Sequence, residues 1–399
     1  MRHLTVVTRC LSLLAPCVLA QSVSVSAANP LDCSKESLTA AVAGAREKDP
    51  VISFTGVCVG PILITTDGLT LQGVGTAEID GGGQNAVVVA GASRVSLGGI
   101  EVRNGLNGIV AVNGAHLSLT GVNVHDNALS GVLLQTGSSG VLSDVVIQHN
   151  GLHGLDLQSG SAATITDSLM STANRVFGVN VNGSSITFAT AIVTASQNAL
   201  GVQIATNANA FINDRDTVLN AVNNLATGLT VVSGAQLVSF GGIINASGNP
   251  GAGVSVNSKA GIDLDAASQL NTFNNGDGLL IQHDSTITVF NTPQFSGAAG
   301  FSTINAHHNT RSGLRVATAS TLTLVNQARV ISTQNGTLGL LADNGAGITL
   351  VNSTLAGNTA RDLQLSFGTR ADLQTLTFGT ATCDATVLVR GTSGIVCPQ

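Results

Sequence analysis

Three stretches carry one pattern at spacings of 23 and 24 residues: Asn127-Ala128-Leu129-Ser130-Gly131-Val132-Leu133-Leu134, Asn150-Gly151-Leu152-His153-Gly154-Leu155-Asp156-Leu157 and Asn174-Arg175-Val176-Phe177-Gly178-Val179-Asn180-Val181. Each opens on Asn, places Gly four residues later, and sets apolar side chains one and three positions beyond that glycine. A period of two is the signature of a strand with one face on a core. The residue between the two apolar positions, Asp156 or Asn180, varies as a water-facing side chain can.

The pattern extends in both directions. With Pro61, Ala86, Gly108, Gly131, Gly154, Gly178, Gly201, Gly228, Gly253, Gly278, Gly313, Gly339 and Asp362 as anchors, the steps run from 22 to 27 residues with one of 35, making thirteen coils. Every anchor is followed by an apolar pair, from Ile62/Ile64 to Leu363/Leu365. Four residues before the anchor stands Asn104, Asn127, Asn150, Asn174, Asn224, Asn249, Asn274, Asn309, Asn335 or Asn358, with Asn198 displaced by one. Asn tolerates left-handed backbone angles, and its amide both donates and accepts, so in-register copies can bond to one another as a ladder. Further alternating runs, such as Leu117-Ser118-Leu119 and Val122-Asn123-Val124, bring each coil to three short strands.

On these features, over about residues 50 to 380, the chain resembles the exported right-handed parallel β-helix proteins of the pectate-lyase-like superfamily. The resemblance implies an all-β solenoid of about 13 coils with an N-terminal capping α-helix. The competing fold is a leucine-rich repeat, because Val122-x-Val124-x-x-Asn127-x-Leu129 fits its core; the rest of each coil, however, lacks a Leu-rich helical period. Enzymes of the superfamily act on acidic polysaccharides. Their Asp-Asp, Asn-Thr-Asp, Gly-His-Gly, Arg-Ile-Lys and Asp-Pro-His-Asp signatures are missing from this sequence. Fold alone does not assign function.

Composition excludes several classes. The chain has 399 residues, 43% hydrophobic and only 10% charged, with 47 Gly, so it has the apolar content of an ordered chain. Sixteen Lys and Arg against 22 Asp and Glu give a net charge of -6, which offers no basic surface for nucleic acid. Mean hydropathy is +0.36, yet no run of about 18 apolar residues predicts a membrane span. With no Trp or Tyr, the usual stacking platforms for sugar rings are missing.

Arg2, His3 and Arg9 ahead of the apolar run Cys10 to Ala20 predict a signal peptide over residues 1–27, cleaved after Ala27 or, alternatively, after Ala20. The mature chain is then secreted or periplasmic and retains Cys33, Cys58, Cys383 and Cys397, an even number suited to two disulfides. A cap over residues 28–60 contains an amphipathic helix from Ser37 to Lys48, with Leu38, Ala41, Val42 and Ala45 as its apolar stripe. The β-helix takes residues 61–380 and a second cap 381–399. Twelve rung steps of ~4.8 Å separate the ends by roughly 58 Å, so within this fold Cys33 must pair with Cys58 and Cys383 with Cys397.

Candidates for chemistry are sparse. His125, Asp126 and His149 form a possible metal set, with Asp126 and His149 expected to pair across adjacent coils. His153 and Asp156 are candidate base and acid on a bound glycan. Asp144 and Asp167 are paired carboxylates for catalysis or Ca²⁺; no other cofactor is expected. Convergence of Arg175, Asp144, Asp167 and His153 would mark an enzyme. Asp214-Arg215-Asp216 reads as a solvated, self-paired loop. The 35-residue coil carries a loop bracketed by Phe290, Phe295 and Phe301, a candidate partner surface. The expected function is an exported surface module, structural, adhesive or glycan-binding, facing a polysaccharide or cell-surface partner. The alternative is a polysaccharide lyase, epimerase or hydrolase with a non-standard site.

Overall fold

The computed structural model describes residues 29–46, 50–292, 300–391, 394–395 and 397–398. The predicted signal peptide and Phe295 lie outside the described residues. The strands stack in parallel into two sheets. One, of fourteen strands, forms a single face of the solenoid; the other, of twenty-five, wraps around the remaining faces. All thirteen anchored strands fall in register in the fourteen-stranded sheet, as in Val132↔Leu155 and Leu134↔Leu157. The fourteenth strand, Ala381–Cys383, pairs with Arg361–Leu365, and Leu388–Gly391 adds a last rung to the larger sheet. The coils therefore continue into the segment assigned from sequence to the C-terminal cap.

Both apolar positions of each anchored strand point inward. Val179 and Val181, Val202 and Ile204, and Leu279 and Ile281 have no exposed surface. They join side chains from the larger sheet in one continuous core column. A rung has no core of its own, so its stability comes from the rungs above and below.

The ladder is built as predicted in kind, with three differences in membership. It runs Asn127, Asn150, Asn174, Asn198, Asn224, Asn249, Asn275, Asn309, Asn335, Asn358; each Nδ2 donates to the Oδ1 of the next at 2.9–3.3 Å. Asn198 is in line, and Asn275 takes the place expected for Asn274. Asn104 lies outside, because Gly105 stands over Asn127 and donates its backbone N–H to the Asn127 Oδ1. The left-handed angle belongs to the residue before the ladder position: Asp126, His149, Asn223 and Asn274 have φ of 53°, 53°, 53° and 56°.

The anchor is glycine because of that ladder. A Cβ on Gly201 would lie 2.4 Å from the Gly228 carbonyl oxygen and 2.7 Å from the Asn224 Nδ2, and one on Gly178 would lie 2.6 Å from the Asn198 Nδ2. Backbone must approach backbone there for the asparagine column to close.

Both ends are covered. Helix α1 (Leu38–Gly44) is capped by the Ser37 side chain, which accepts from the Ala40 N–H, and buries Leu38 and Val42 over the first coil. It stops before the predicted Lys48 because Ala45 is already extended at ψ 112°. Cys33 pairs with Cys58 and Cys383 with Cys397, at Cα separations of 5.0 and 5.2 Å. Two disulfides mark a chain that folds in an oxidising, extracytoplasmic setting. Among the described residues no helix is long and apolar enough to cross a membrane.

Candidate functional site on the fourteen-stranded face

Period-two alternation turns one side chain per strand outward from the fourteen-stranded sheet. On five successive rungs these are Asp156, Asn180, Gln203, Thr230 and Ser255, in register and bounded by Leu133 and Leu280. Parallel strands hold them ~4.8 Å apart, and three of them bond together. Asn180 Nδ2 donates to Asp156 Oδ1 at 2.9 Å, and Gln203 Nε2 donates to Asn180 Oδ1 at 3.2 Å. The other Asp156 oxygen accepts from Gln158 Nε2 at 2.7 Å and Ser130 Oγ at 3.3 Å.

Asp156 was expected to face water, yet it is 1% exposed. Close stacking in a parallel sheet, with Ser130 and Gln158 closing over it, removes it from solvent while filling its acceptor positions. His153 sits at the edge of this network, 8% exposed and stacked on Phe177 with ring centroids 5.1 Å apart. Its Nδ1 accepts from the Phe177 N–H at 3.4 Å. Burial pulls the imidazole pKa below its ordinary value, and the nearby Asp156 charge opposes that pull. His153 and Asp156 thus lie near one another, each bonded to other groups.

The other candidates lie elsewhere on the coil. His125 bridges two carboxylates, with Nδ1 2.7 Å from Asp126 Oδ2 and Nε2 2.8 Å from Glu101 Oε1. Burial lowers its pKa, but the bonds to Asp126 and Glu101 outweigh that and the net shift is upward. The expected Asp126–His149 pair does not form, since the left-handed backbone turns Asp126 onto His125 and leaves His149 exposed. Among the described residues no three His, Cys, Asp or Glu side chains are placed to hold a metal ion.

Asp144 and Asp167 occupy the left-handed corner where the larger sheet bends, with φ of 53° and 55°. They are cross-linked through serines: Ser168 Oγ donates to Asp144 at 2.9 Å and Ser143 Oγ to Asp167 at 2.6 Å. This corner is separate from the one holding His153, and exposed Arg175 follows the ladder Asn174, so the four side chains whose convergence would mark an enzyme do not form one site. Asp214 is engaged by the Thr190 N–H and the Thr217 hydroxyl at 2.6 and 2.8 Å. Phe301 lies under the Arg329 guanidinium at 5.2 Å, and half-buried Phe290 bonds through its N–H to the Leu264 carbonyl. Read singly, outward residues such as Asp156 and Asn180 look like free variation; the signal of the track is five polar ones in a row, Asp156, Asn180, Gln203, Thr230 and Ser255, between apolar Leu133 and Leu280.

A family profile described as right-handed beta helix region matches residues 62–217 and 107–275, together more than half of the chain. No curated protein matches the sequence. Among solved structures, the chain is similar to the mannuronan C-5 epimerase AlgE6 A-module of Azotobacter vinelandii, at 13% identity over 90% of this chain and 99% of that one, with a TM-score of 0.39. An alginate lyase from a Paenibacillus species aligns at 15% identity over 76% and 93% of the two chains, TM-score 0.36. Vag8, from its complex with C1 inhibitor, aligns at 11% over 88% and 94%, TM-score 0.45. The profile match agrees with the coils described above: the chain belongs to the right-handed β-helix family.

Proposed function

We propose that the chain is an exported β-helix module, secreted or periplasmic, that holds a glycan along its fourteen-stranded face without turning it over. The observation that carries this reading is the polar track of five consecutive rungs, Asp156 to Ser255, bounded by Leu133 and Leu280. Amides and hydroxyls both donate and accept, which suits a hydroxyl-rich chain lying along the axis. Gln203, Thr230 and Ser255 are half-buried, leaving surface for a ligand. Binding is favoured over catalysis because Asp156 is enclosed by its three donors, and the remaining carboxylate pair, Asp144 and Asp167, sits at another corner. The two disulfides support the exported setting.

The test is a screen of the purified chain against neutral and acidic glycans, read both as binding and as unsaturated-product absorbance. Binding without turnover, weakened about tenfold in Gln203→Ala/Thr230→Ala, is expected. Turnover that disappears in His153→Ala or Asp156→Ala would replace the binding reading with a polysaccharide enzyme.

A further inference from the structure

A second groove lies on the larger sheet near the C-terminal end. Its floor is four successive strands, Thr321–Leu324, Gly347–Val351, Arg370–Gln374 and Leu388–Gly391, joined in register. Alternation turns two residues of each outward, and Ile348, Leu350, Ala371 and Leu373 go into the core. One outward row reads Thr321, Gly347, Arg370, Leu388; the other reads Thr323, Thr349, Asp372, Arg390. Gly347 interrupts the first row, and the missing side chain opens a cavity of about 560 Å³ lined by these residues.

Both guanidiniums at this cavity are exposed and neither has a partner among the described residues. Asp372, opposite Arg390 in register, takes a side-chain hydrogen bond from Gln374 at 3.4 Å. Two Arg and one Asp leave the groove a formal charge of +1 on a chain whose total is -6. At physiological ionic strength charges interact over about 8 Å, so the local pair sets the preference at this spot. Three threonine hydroxyls, from Thr321, Thr323 and Thr349, face the same space.

We infer that this groove binds a singly charged oxyanion carried on a hydroxylated molecule, with Arg370 and Arg390 holding the anion and the threonines taking the carrier's hydroxyls. Guanidinium suits carboxylate and sulfate ester alike, through paired N–H donors. The plainer account, a charge placed on an edge strand to prevent edge-to-edge pairing, explains Arg390 on the last strand. It does not explain Arg370 one rung inside beside the Gly347 notch.

The experiment is calorimetric titration of the full chain carrying Gln203→Ala/Thr230→Ala, which weakens the fourteen-stranded face, with a galacturonate trisaccharide, its neutral galactose counterpart, a galactose sulfate ester and inorganic sulfate. Uptake of either charged sugar, with the neutral sugar silent and inorganic sulfate at least tenfold weaker, is expected; which charged sugar binds more tightly identifies the anion. Arg370→Gln and Arg390→Gln should each weaken binding about tenfold or more. Gly347→Val keeps both charges but fills the notch, since a Cβ there already lies 3.2 Å from Thr321 Cγ2, and should abolish uptake with the thermal midpoint retained. Equal binding of the neutral sugar, equal binding of inorganic sulfate, or unchanged affinity in both Arg variants would overturn the inference. Uptake lost with Arg370→Gln or Arg390→Gln in this background belongs to the groove, and uptake regained on restoring Gln203 and Thr230 belongs to the fourteen-stranded face, so the two proposed sites fail or stand separately.

Discussion

The asparagine column ends at a carboxylate. Asp362 Oδ1 accepts the Asn358 N–H and Nδ2 at 3.1 and 2.9 Å, and Oδ2 accepts the Gly379 and Thr380 N–H groups at 2.8 and 2.9 Å. Every ladder asparagine needs an acceptor ahead of it and a carbonyl behind it, as Asn198 finds in Asn224 and Ser171. The last position needs only acceptors, and an acid supplies them on both oxygens. Burial raises the Asp362 pKa, but the donors outweigh it and hold the group below its ordinary 3.8. A carboxyl depressed in the folded state contributes stability that is complete above its unfolded value and is lost as pH falls through the folded one. Asp362→Asn should therefore be destabilised at neutral pH by about 1.5–3 kcal/mol, because its amide NH₂ would confront two N–H donors. The wild type should lose more of its urea midpoint than the variant when pH is taken from about 5 to below 3.8. Equal midpoints at neutral pH would mean that the column does not depend on this terminus.

At the level of elements, the strands were readable and the corners only partly so. Inward apolar pairs such as Val202/Ile204 state their register openly, because a one-residue slip would turn both to water. Corner geometry is set by rungs above and below, which a single line of sequence does not show: Asn274 and Asn275 are chemically identical, and only stacking on Asn249 and Asn309 selects Asn275. The same holds for the candidate site, where the identities of His153 and Asp156 were legible but their enclosure by Ser130, Gln158 and Phe177 was not. The first cap combines short α1 with the Cys33–Cys58 link, which spans 25 residues. A helix of seven residues is too short to persist without packing, so the cross-link matters most here. Cys33→Ser/Cys58→Ser should lower stability by about 3 kcal/mol, seen first as protease cleavage near α1. Unchanged cleavage there would show that Leu38 and Val42 hold the cap by burial alone.

Across the whole molecule, every interior rung among the described residues is paired on both sides, and free strand edges lie at the ends. At the C-terminal end, Ala381–Cys383 and Leu388–Gly391 each pair on one side only, with Arg361–Leu365 and Arg370–Gln374. The tail is fastened across that end by the Cys383–Cys397 bond, and Ile395 packs against the core beside Phe378. A parallel solenoid whose end is uncovered offers the next chain a ready template, and stacking of this head-to-tail kind does not close on itself. Cys383→Ser/Cys397→Ser should leave the coil content seen by circular dichroism nearly unchanged, while light scattering shows a mass that rises with protein concentration. Adding Lys at Val389, which turns toward the core on the last strand, should suppress that rise by placing an uncompensated charge in the edge-to-edge contact. A variant that stays at the mass of one chain over the whole concentration range would show that the rungs themselves, and not the fastened tail, keep the end from pairing.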